Sequence, residues 1–248
     1  MTVAKSSTQD LWWRRYYRGR PIHAMPGVHE FVLEMLKAQV APPARIVDLG
    51  GATGAFALRS SDAGYNVVLA DFAPPSDLDL PVQQLDLDAS PSYAGVLGKG
   101  FDAIVAIEVI EHLENPYQFL RKAHALLKPD GTLIVTTPNV VDLDSRRQFL
   151  IQGDLWQFPR GCVSGLRKGR TGHLTILPYW MLEEILDREG WHVLARRFIG
   201  RKPRRGVIGV VARLVNLALL PFGWRVPLAA AFAPSAAFIC VRRVDKWR

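Results

Sequence analysis

Two stretches of this chain carry residue types at spacings that can do chemistry. In the first, Asp48 closes an apolar run (Ile46, Val47, Leu49) and is followed at once by Gly50-Gly51-Ala52-Thr53-Gly54. A glycine-rich turn lets backbone approach a ligand closely, and the N–H groups of a helix that starts there can receive oxygen atoms. Asp71 ends the next apolar run, about twenty residues beyond Gly50, the usual distance for an acid that binds ribose hydroxyls. In the second stretch, Glu108-Val109-Ile110-Glu111-His112 follows another apolar run. If this segment is helical, positions i, i+3 and i+4 share a face, so Glu108, Glu111 and His112 converge. Two carboxylates and an imidazole suit a divalent cation such as Mg²⁺, Mn²⁺ or Zn²⁺.

Charge selects among nucleotide-like ligands for the first stretch. A dinucleotide would set its pyrophosphate against the turn, where a carboxylate at Asp48 repels it. S-adenosyl-L-methionine has no phosphate and carries a sulfonium and an ammonium, so an acid beside the turn favours it. The segments VDLGGATG (47–54), NVVLAD (66–71), LDLD (85–88) and FDAIVAIEVIEHLENPYQFLRKAHALLKPDGTLIVTTPN (101–139) resemble a class I S-adenosylmethionine-dependent methyltransferase. The last run is similar to the branch that contains the ubiquinone-pathway O-methyltransferases. Ala52 stands where that pattern has its middle glycine.

The resemblance implies an α/β fold, a doubly wound Rossmann-like seven-stranded sheet, mostly parallel with an antiparallel last strand and helices on both faces. It implies cofactor contacts at Asp48, Gly50, Gly51, Ala52, Gly54, Asp71, Phe72, Ile107 and Glu108. Asp86 is expected on the exocyclic amine of adenine, with Leu87 offering a backbone group. Asp88 reads equally as a cap of the short helix after it. Some relatives use E-x-x-E-H with a downstream histidine as metal ligands, which here implies Glu108, Glu111, His112 and His173. Metal-independent relatives share the core of this motif. In them Glu108 contacts cofactor, while Glu111 and His112 organise the loop. Both readings stay open.

These residues need elements to hold them. Apolar runs predict strands at 45–49, 66–71, 82–85, 101–107, 132–137, 191–194 and 236–241. Helices are expected at 28–40, about 55–64 with Gly64 as its stop, 115–127 and 178–189, and Lys128-Pro129-Asp130-Gly131 reads as a turn. His29 either faces the site or, more plainly, is a solvated surface histidine. The segment LWWRRYYRGR (11–20) interleaves aromatics with arginines and reads as rings docked on the domain edge in preference to a phosphate-binding arm. One domain over 27–248 is expected after an arm over 1–26, with insertions at about 140–170 and 201–233. The first insertion is either a substrate lid with Arg146, Arg147, Trp156, Phe158 and Arg160, or a packed helical insertion. In the second, a basic run precedes GVIGVVARLVNLALLPFGW (206–224), which reads either as an anchor in anionic lipid or as a packed hairpin.

The chain has 248 residues, 49% hydrophobic and 22% charged, which describes a globular protein, and its formal charge of +8 suits nucleic acid, an acidic substrate or an anionic membrane surface. Cys162 and Cys240 form neither a metal nor a redox motif, and the polar start lacks the apolar core of a signal peptide. A cytoplasmic protein with peripheral membrane contact is the expectation, with oligomeric state unread. The chemistry expected is methyl transfer to a hydroxyl of a small-molecule, sugar or lipid-linked acceptor, with His112 or His173 taking the proton. The rivals are an RNA 2′-O-methylase-like or RNA-binding protein, disfavoured because the basic residues flank apolar runs, and a catalytically idle cofactor-binding protein.

Overall fold

The structure is a computed structural model that describes residues 15–158, 172–200, 230–231 and 233–242. Trp12, Trp13, Arg160, Cys162 and the basic-apolar run at 206–224 lie outside the described residues. Seven strands form one sheet: β3 (Arg45–Leu49), β4 (Asn66–Asp71), β5 (Val82–Gln84), β6 (Phe101–Ile107), β7 (Leu127–Pro138), β8 (Trp191–Ile199) and β9 (Ser235–Arg242). Their order is β5-β4-β3-β6-β7-β9-β8. The pairs from β5 to β7 are parallel, and β9 runs antiparallel to both β7 and β8. The expected antiparallel last strand is therefore present, inserted between β7 and β8.

Alternation along β3 divides its side chains between two layers. Val47 and Leu49 pack with Phe119, Leu120, Leu182, Leu186 and Trp191, beneath α4 (Pro116–His124) and α6 (Tyr179–Arg188). Ile46 joins Val28, Val32, Leu36 and Phe56 on the opposite face, under α1 (Val28–Gln39) and α2 (Ala55–Asp62). Asp48 shares the face of Ile46 and is buried there. From β3 the sheet extends through β4 to one side and through β6 to the other. This reversal opens a crevice beyond the carboxyl ends of β3 and β6, where the glycine turn and the Glu108 segment both begin.

One local expectation is corrected, and two segments take forms on which the sequence left the reading open. The turn expected at 128–131 is an irregular part of β7: Phe101 pairs with Leu127 but Ala103 with Thr132, and the intervening residues bulge outward. Lys128 Nζ, 2.6 Å from Asp102 Oδ1, ties this stretch to the neighbouring strand. The N-terminal arm contains a hairpin, β1 (Arg15–Tyr17) and β2 (Arg20–Ile22), turned at Arg18 and Gly19, which both have positive φ. Tyr17 docks by its hydroxyl on Asp62 (2.7 Å) and by its ring under the Arg59 guanidinium (4.4 Å), and the Thr53 hydroxyl donates to Pro21 O (2.7 Å). Lastly, α5 (Leu143–Gln152) forms within the first insertion, started by Asp142, whose carboxylate accepts the Ser145 amide (2.7 Å), and stopped by Gly153. Arg146 is held by the Val141 carbonyl (2.9 Å) instead of reaching outward as a lid residue.

Candidate functional site

The glycine turn is fixed by its neighbours. Gly50 N–H donates to Ala70 O at 2.7 Å, and φ of +73° there favours glycine; a Cβ would in addition meet Val109 Cγ2 at 2.6 Å. At Gly51 a Cβ would stand 2.6 Å from Asp48 Oδ2, so backbone and carboxylate approach as closely as only glycine permits. Ala52 adopts φ of +45°, and its amide donates to Asp71 Oδ2 (2.9 Å) while Ala73 N–H donates to Oδ1 (2.9 Å). Asp71 thus joins the turn to the loop after β4.

Asp48 is 2% exposed, and its Oδ2 has no hydrogen-bond partner. Burial and then the nearby Asp71 push its carboxyl up to about 7, against a stabilising amide at Ala57 in the first turn of α2. Its position therefore has a structural component, holding the start of α2, beside the electrostatic one read from sequence.

On the adenine side expected from sequence, Asp86 Oδ1 accepts the Asp88 and Ala89 amides (2.9 and 2.8 Å), and the Leu87 carbonyl accepts the Tyr93 hydroxyl. Asp88 does cap, but across the fold: its carboxylate takes the amides of Glu114 and Asn115. The helix that follows it, α3 (Tyr93–Leu97), is capped by Ser92. Phe72 lies 66% exposed at the lip of the crevice.

The Glu108 segment departs from the helix expected there. β6 ends at Ile107, Glu108 takes a left-handed φ of +52°, and only a single 3-10 turn, Ile110–His112, follows. Glu108 therefore leaves the shared face. Its amide donates to Thr136 Oγ1 (3.0 Å), whose hydroxyl donates back to Glu108 Oε1 (2.8 Å). A non-glycine residue held at positive φ is a strained position, and such strain concentrates at functional sites.

The group that does assemble among the described residues is Glu111, His112 and His173, whose potential ligand atoms lie within 4.8 Å of one another. His173 is brought there by backbone: Leu174 and Thr175 amides donate to Glu111 O (2.8 and 3.0 Å), and the Thr175 hydroxyl donates to Leu113 O (2.7 Å). His112 Nδ1 bonds Gly172 O (2.9 Å) and His173 Nδ1 bonds Gln157 O (2.7 Å), which fixes both rings, 4.7 Å apart and edge to face. A carbonyl at Nδ1 selects the tautomer that presents an unprotonated Nε2. Burial lowers both histidines, His173 further through His112, so both imidazoles are neutral near pH 7. Glu111 is wholly buried with Oε1 unpartnered, and burial followed by the charge of Glu108 raises it well above the carboxylate range.

One cavity of about 630 Å³ runs from Asp48, the glycine turn and Asp71 to Glu108, Glu111, His112 and His173. This volume lies in the range of small-molecule sites. Ile107, Asp86 and Leu87 also line it. Two parts of the wall had no firm assignment from sequence. Pro21 and Met25 line the wall because the hairpin docks on Thr53, a contact without a motif. His29, read as a surface histidine, is 7% exposed and lines the cavity, with its ring edge-on to Phe56 at 5.3 Å. The pattern of α1 carried that signal, since Val28, Val32 and Leu36 define a buried face and position 29 flanks it.

The residues at the turn fit S-adenosylmethionine. The buried Asp48 Oδ2 has no hydrogen-bond partner and would be satisfied by a cationic group, and the absence of a Cβ at Gly51 lets the turn backbone lie close beside it.

Comparisons with known proteins agree with this geometry. A methyltransferase domain family matches residues 14–195. The "Ubiquinone biosynthesis O-methyltransferase" of Xanthomonas campestris pv. campestris (strain B100) is 30% identical over 139 residues, covering 52% of this chain and 57% of that protein. The match therefore spans little more than half the length of that relative. Among solved structures, a S-adenosylmethionine dependent methyltransferase from Mesorhizobium loti superposes with a TM-score of 0.55 at 18% identity, over 87% of this chain and 99% of that one. A SAM dependent methyltransferase from Archaeoglobus fulgidus gives 0.52 at 18% identity, over 86% and 94%. At such identities the structures speak for the fold, and the matched family covers most of the chain. The chain belongs to the class I S-adenosylmethionine-dependent methyltransferases.

Proposed function

We propose that this protein transfers a methyl group from S-adenosylmethionine to a hydroxyl of a small-molecule, sugar or lipid-linked acceptor. The observation that carries the reading is the single cavity with a cofactor-type turn at one end and two neutral imidazoles beside a buried carboxyl at the other. The name of the ubiquinone-pathway relative supports oxygen as the methylated atom. S-adenosylmethionine supplies an electrophilic methyl on a neutral-leaving sulfonium. The protein's part is to hold, orient and deprotonate. Asp48, Gly50, Gly51, Ala52, Gly54 and Asp71 hold the cofactor, with Phe72, Asp86, Leu87 and Ile107 around its adenosine. Alignment of two reactants in one cavity is worth about 7–11 kcal/mol of the barrier. His112 or His173 accepts the hydroxyl proton, and a neutral imidazole is suited to do so near pH 7.

A second reading of the same end is favoured by the Glu111–His112–His173 geometry: a divalent cation that lowers the pKa of the acceptor hydroxyl. Glu111 Oε1, buried and unpartnered, is the donor that such an ion would satisfy. The deciding experiment is release of S-adenosylhomocysteine across a panel of phenolic, sugar and lipid-linked acceptors, with and without EDTA. EDTA-sensitive turnover supports the cation, and EDTA-indifferent turnover assigns the step to the histidines alone. A protein that binds S-adenosylmethionine but turns over no hydroxyl acceptor overturns the proposal. Peripheral contact with anionic membrane rests on the sequence of 206–224; no helix among the described residues is long and apolar enough to cross a bilayer. Removing 206–222 and measuring sedimentation with anionic vesicles tests that contact.

A further inference from the structure

An imidazole takes a proton efficiently only when its ring is held in place, and His173 is held from outside its own segment. The ring stands between His112 and Phe158, with centroids 4.7 Å from each, and its Nδ1 bonds the carbonyl of Gln157 at 2.7 Å. Gln157 and Phe158 belong to a short turn after α5, closed by the Phe158 amide on Leu155 O (2.9 Å). Such a turn opens at little cost unless it is tied to a larger element. The side chain of Gln157 supplies a tie: its Nε2 donates to Pro234 O at 2.8 Å, immediately before β9. The same oxygen accepts the Asn139 amide (2.7 Å) at the end of β7. A carbonyl has two lone pairs, and this one serves the sheet with one and the turn with the other. Asn139 is fully buried, and its side-chain amide donates to Ala230 O (2.6 Å) and Ala233 O (2.7 Å), which fixes the stretch that leads into Pro234.

Gln157 therefore faces two ways, with its side chain on the sheet and its backbone carbonyl on a histidine. We propose that Gln157 is a positioning residue for His173, clasped to the sheet at Pro234 O so that its own carbonyl holds the ring with Nε2 turned to the methyl acceptor. This assignment rests on the reading of His173 as proton acceptor given above and adds to it the residue that keeps that group in place. Gln157 lines the cavity, yet its amide nitrogen is engaged by Pro234 and its carbonyl by His173, so it supports the site without binding the acceptor.

Gln157→Met keeps the length of the side chain and removes the donor, and Gln157→Lys restores a donor at that reach. Nitrogen NMR of labelled histidine rings, with S-adenosylhomocysteine bound, reports the tautomer of His173, its signal identified by loss in His173→Ala. The wild-type ring shows one tautomer, protonated at Nδ1. Gln157→Met shows an averaged pair, and Gln157→Lys returns toward wild type. Turnover is followed as release of S-adenosylhomocysteine with the fastest of the phenolic, sugar and lipid-linked acceptors. In Gln157→Met kcat falls by about 3- to 10-fold, while KM for the acceptor and affinity for S-adenosylhomocysteine change by less than about twofold. In a His173→Ala background the same substitution slows turnover no further, because a residue that acts through His173 has nothing left to act on. An unchanged tautomer in Gln157→Met, a rise in KM without a fall in kcat, or losses that multiply in the double variant overturn the assignment and leave the methyltransferase reading standing. A wild type that turns over no hydroxyl acceptor overturns the proton-acceptor reading, and the tautomer measurement then decides by itself whether Gln157 fixes the ring.

Discussion

The two ends of the cavity are built on opposite principles. The turn end comes from nearly contiguous chain, residues 48–54 and 71–72, tied by short local bonds such as Gly50 N–H to Ala70 O and Ala52 N–H to Asp71. The imidazole end draws on 108–112, 136–137, 156–158 and 172–175, joined by contacts that reach across some sixty residues of chain, as from His112 to Gly172. A contiguous site keeps its shape when distant parts move, whereas an assembled one depends on every segment arriving. Binding and chemistry should accordingly fail separately.

The largest effects test that separation. Gly51→Val forces a branched side chain into the space beside Asp48 Oδ2, and binding of S-adenosylhomocysteine falls by more than about 100-fold in titration calorimetry, with about 1–3 kcal/mol of overpacking strain in the melt. His173→Ala leaves that affinity within about twofold but lowers turnover by about 10²–10⁴-fold, the usual worth of a positioned acid–base group. If His173→Ala lost affinity and turnover together, the two ends would be one unit and the comparison would collapse.

Asp48 sharpens it next, through pH. Its folded pKa of about 7 lies above the ordinary 3.8, so the unfolded chain gives up the proton first. Stability from this group is thus whole below about pH 4, and is lost as pH rises toward 7. A shift of this size amounts to a few kcal/mol, on the order of 4. Asp48→Asn keeps an oxygen for the Ala57 amide and removes the titration, so it melts several degrees higher than wild type at pH 8 and no higher at pH 4. Binding runs the other way: a cationic ligand favours the ionised carboxylate, so wild-type affinity for S-adenosylmethionine falls as pH drops below 7, and the Asn variant loses that slope. Parallel melting curves for the two proteins across pH 4–8 would contradict the burial argument.

How much of this was legible in sequence follows the same division. The order of strands and helices was readable because a sheet buried on both faces writes near-continuous apolar runs, as in 101–107. The glycine turn was readable because its constraints are local. Glu108 was misjudged because a spacing of three and four is only informative inside a helix, and strand β6 instead hands over to a strained residue and one 3-10 turn. The Thr136 hydroxyl that fixes Glu108 lies on the next strand, and nothing in local periodicity announces it. The β1–β2 hairpin was missed because strands of three residues leave no pattern, and its docking depends on Asp62, Asp77 and Thr53 far along the chain.

The smallest effect concerns Ala52, which stands where the resembling pattern has its middle glycine. At φ of +45° an L side chain crowds its own backbone, a cost of about 1–2 kcal/mol, and the residue's exposure means its methyl buries nothing in return. Against that relief, Ala52→Gly frees the unfolded chain and forfeits about 0.5–1 kcal/mol. The net gain lies between about 0 and 1.5 kcal/mol, a rise of at most a few degrees in the melting temperature for a chain of this size. The amide of residue 52 still donates to Asp71, so cofactor affinity should change by less than about threefold. A glycine variant that melts lower than wild type would mean that the alanine stiffens the turn by more than its strain costs, and that rigidity of the turn end, not only its contiguity, is what keeps binding independent of the distant histidines.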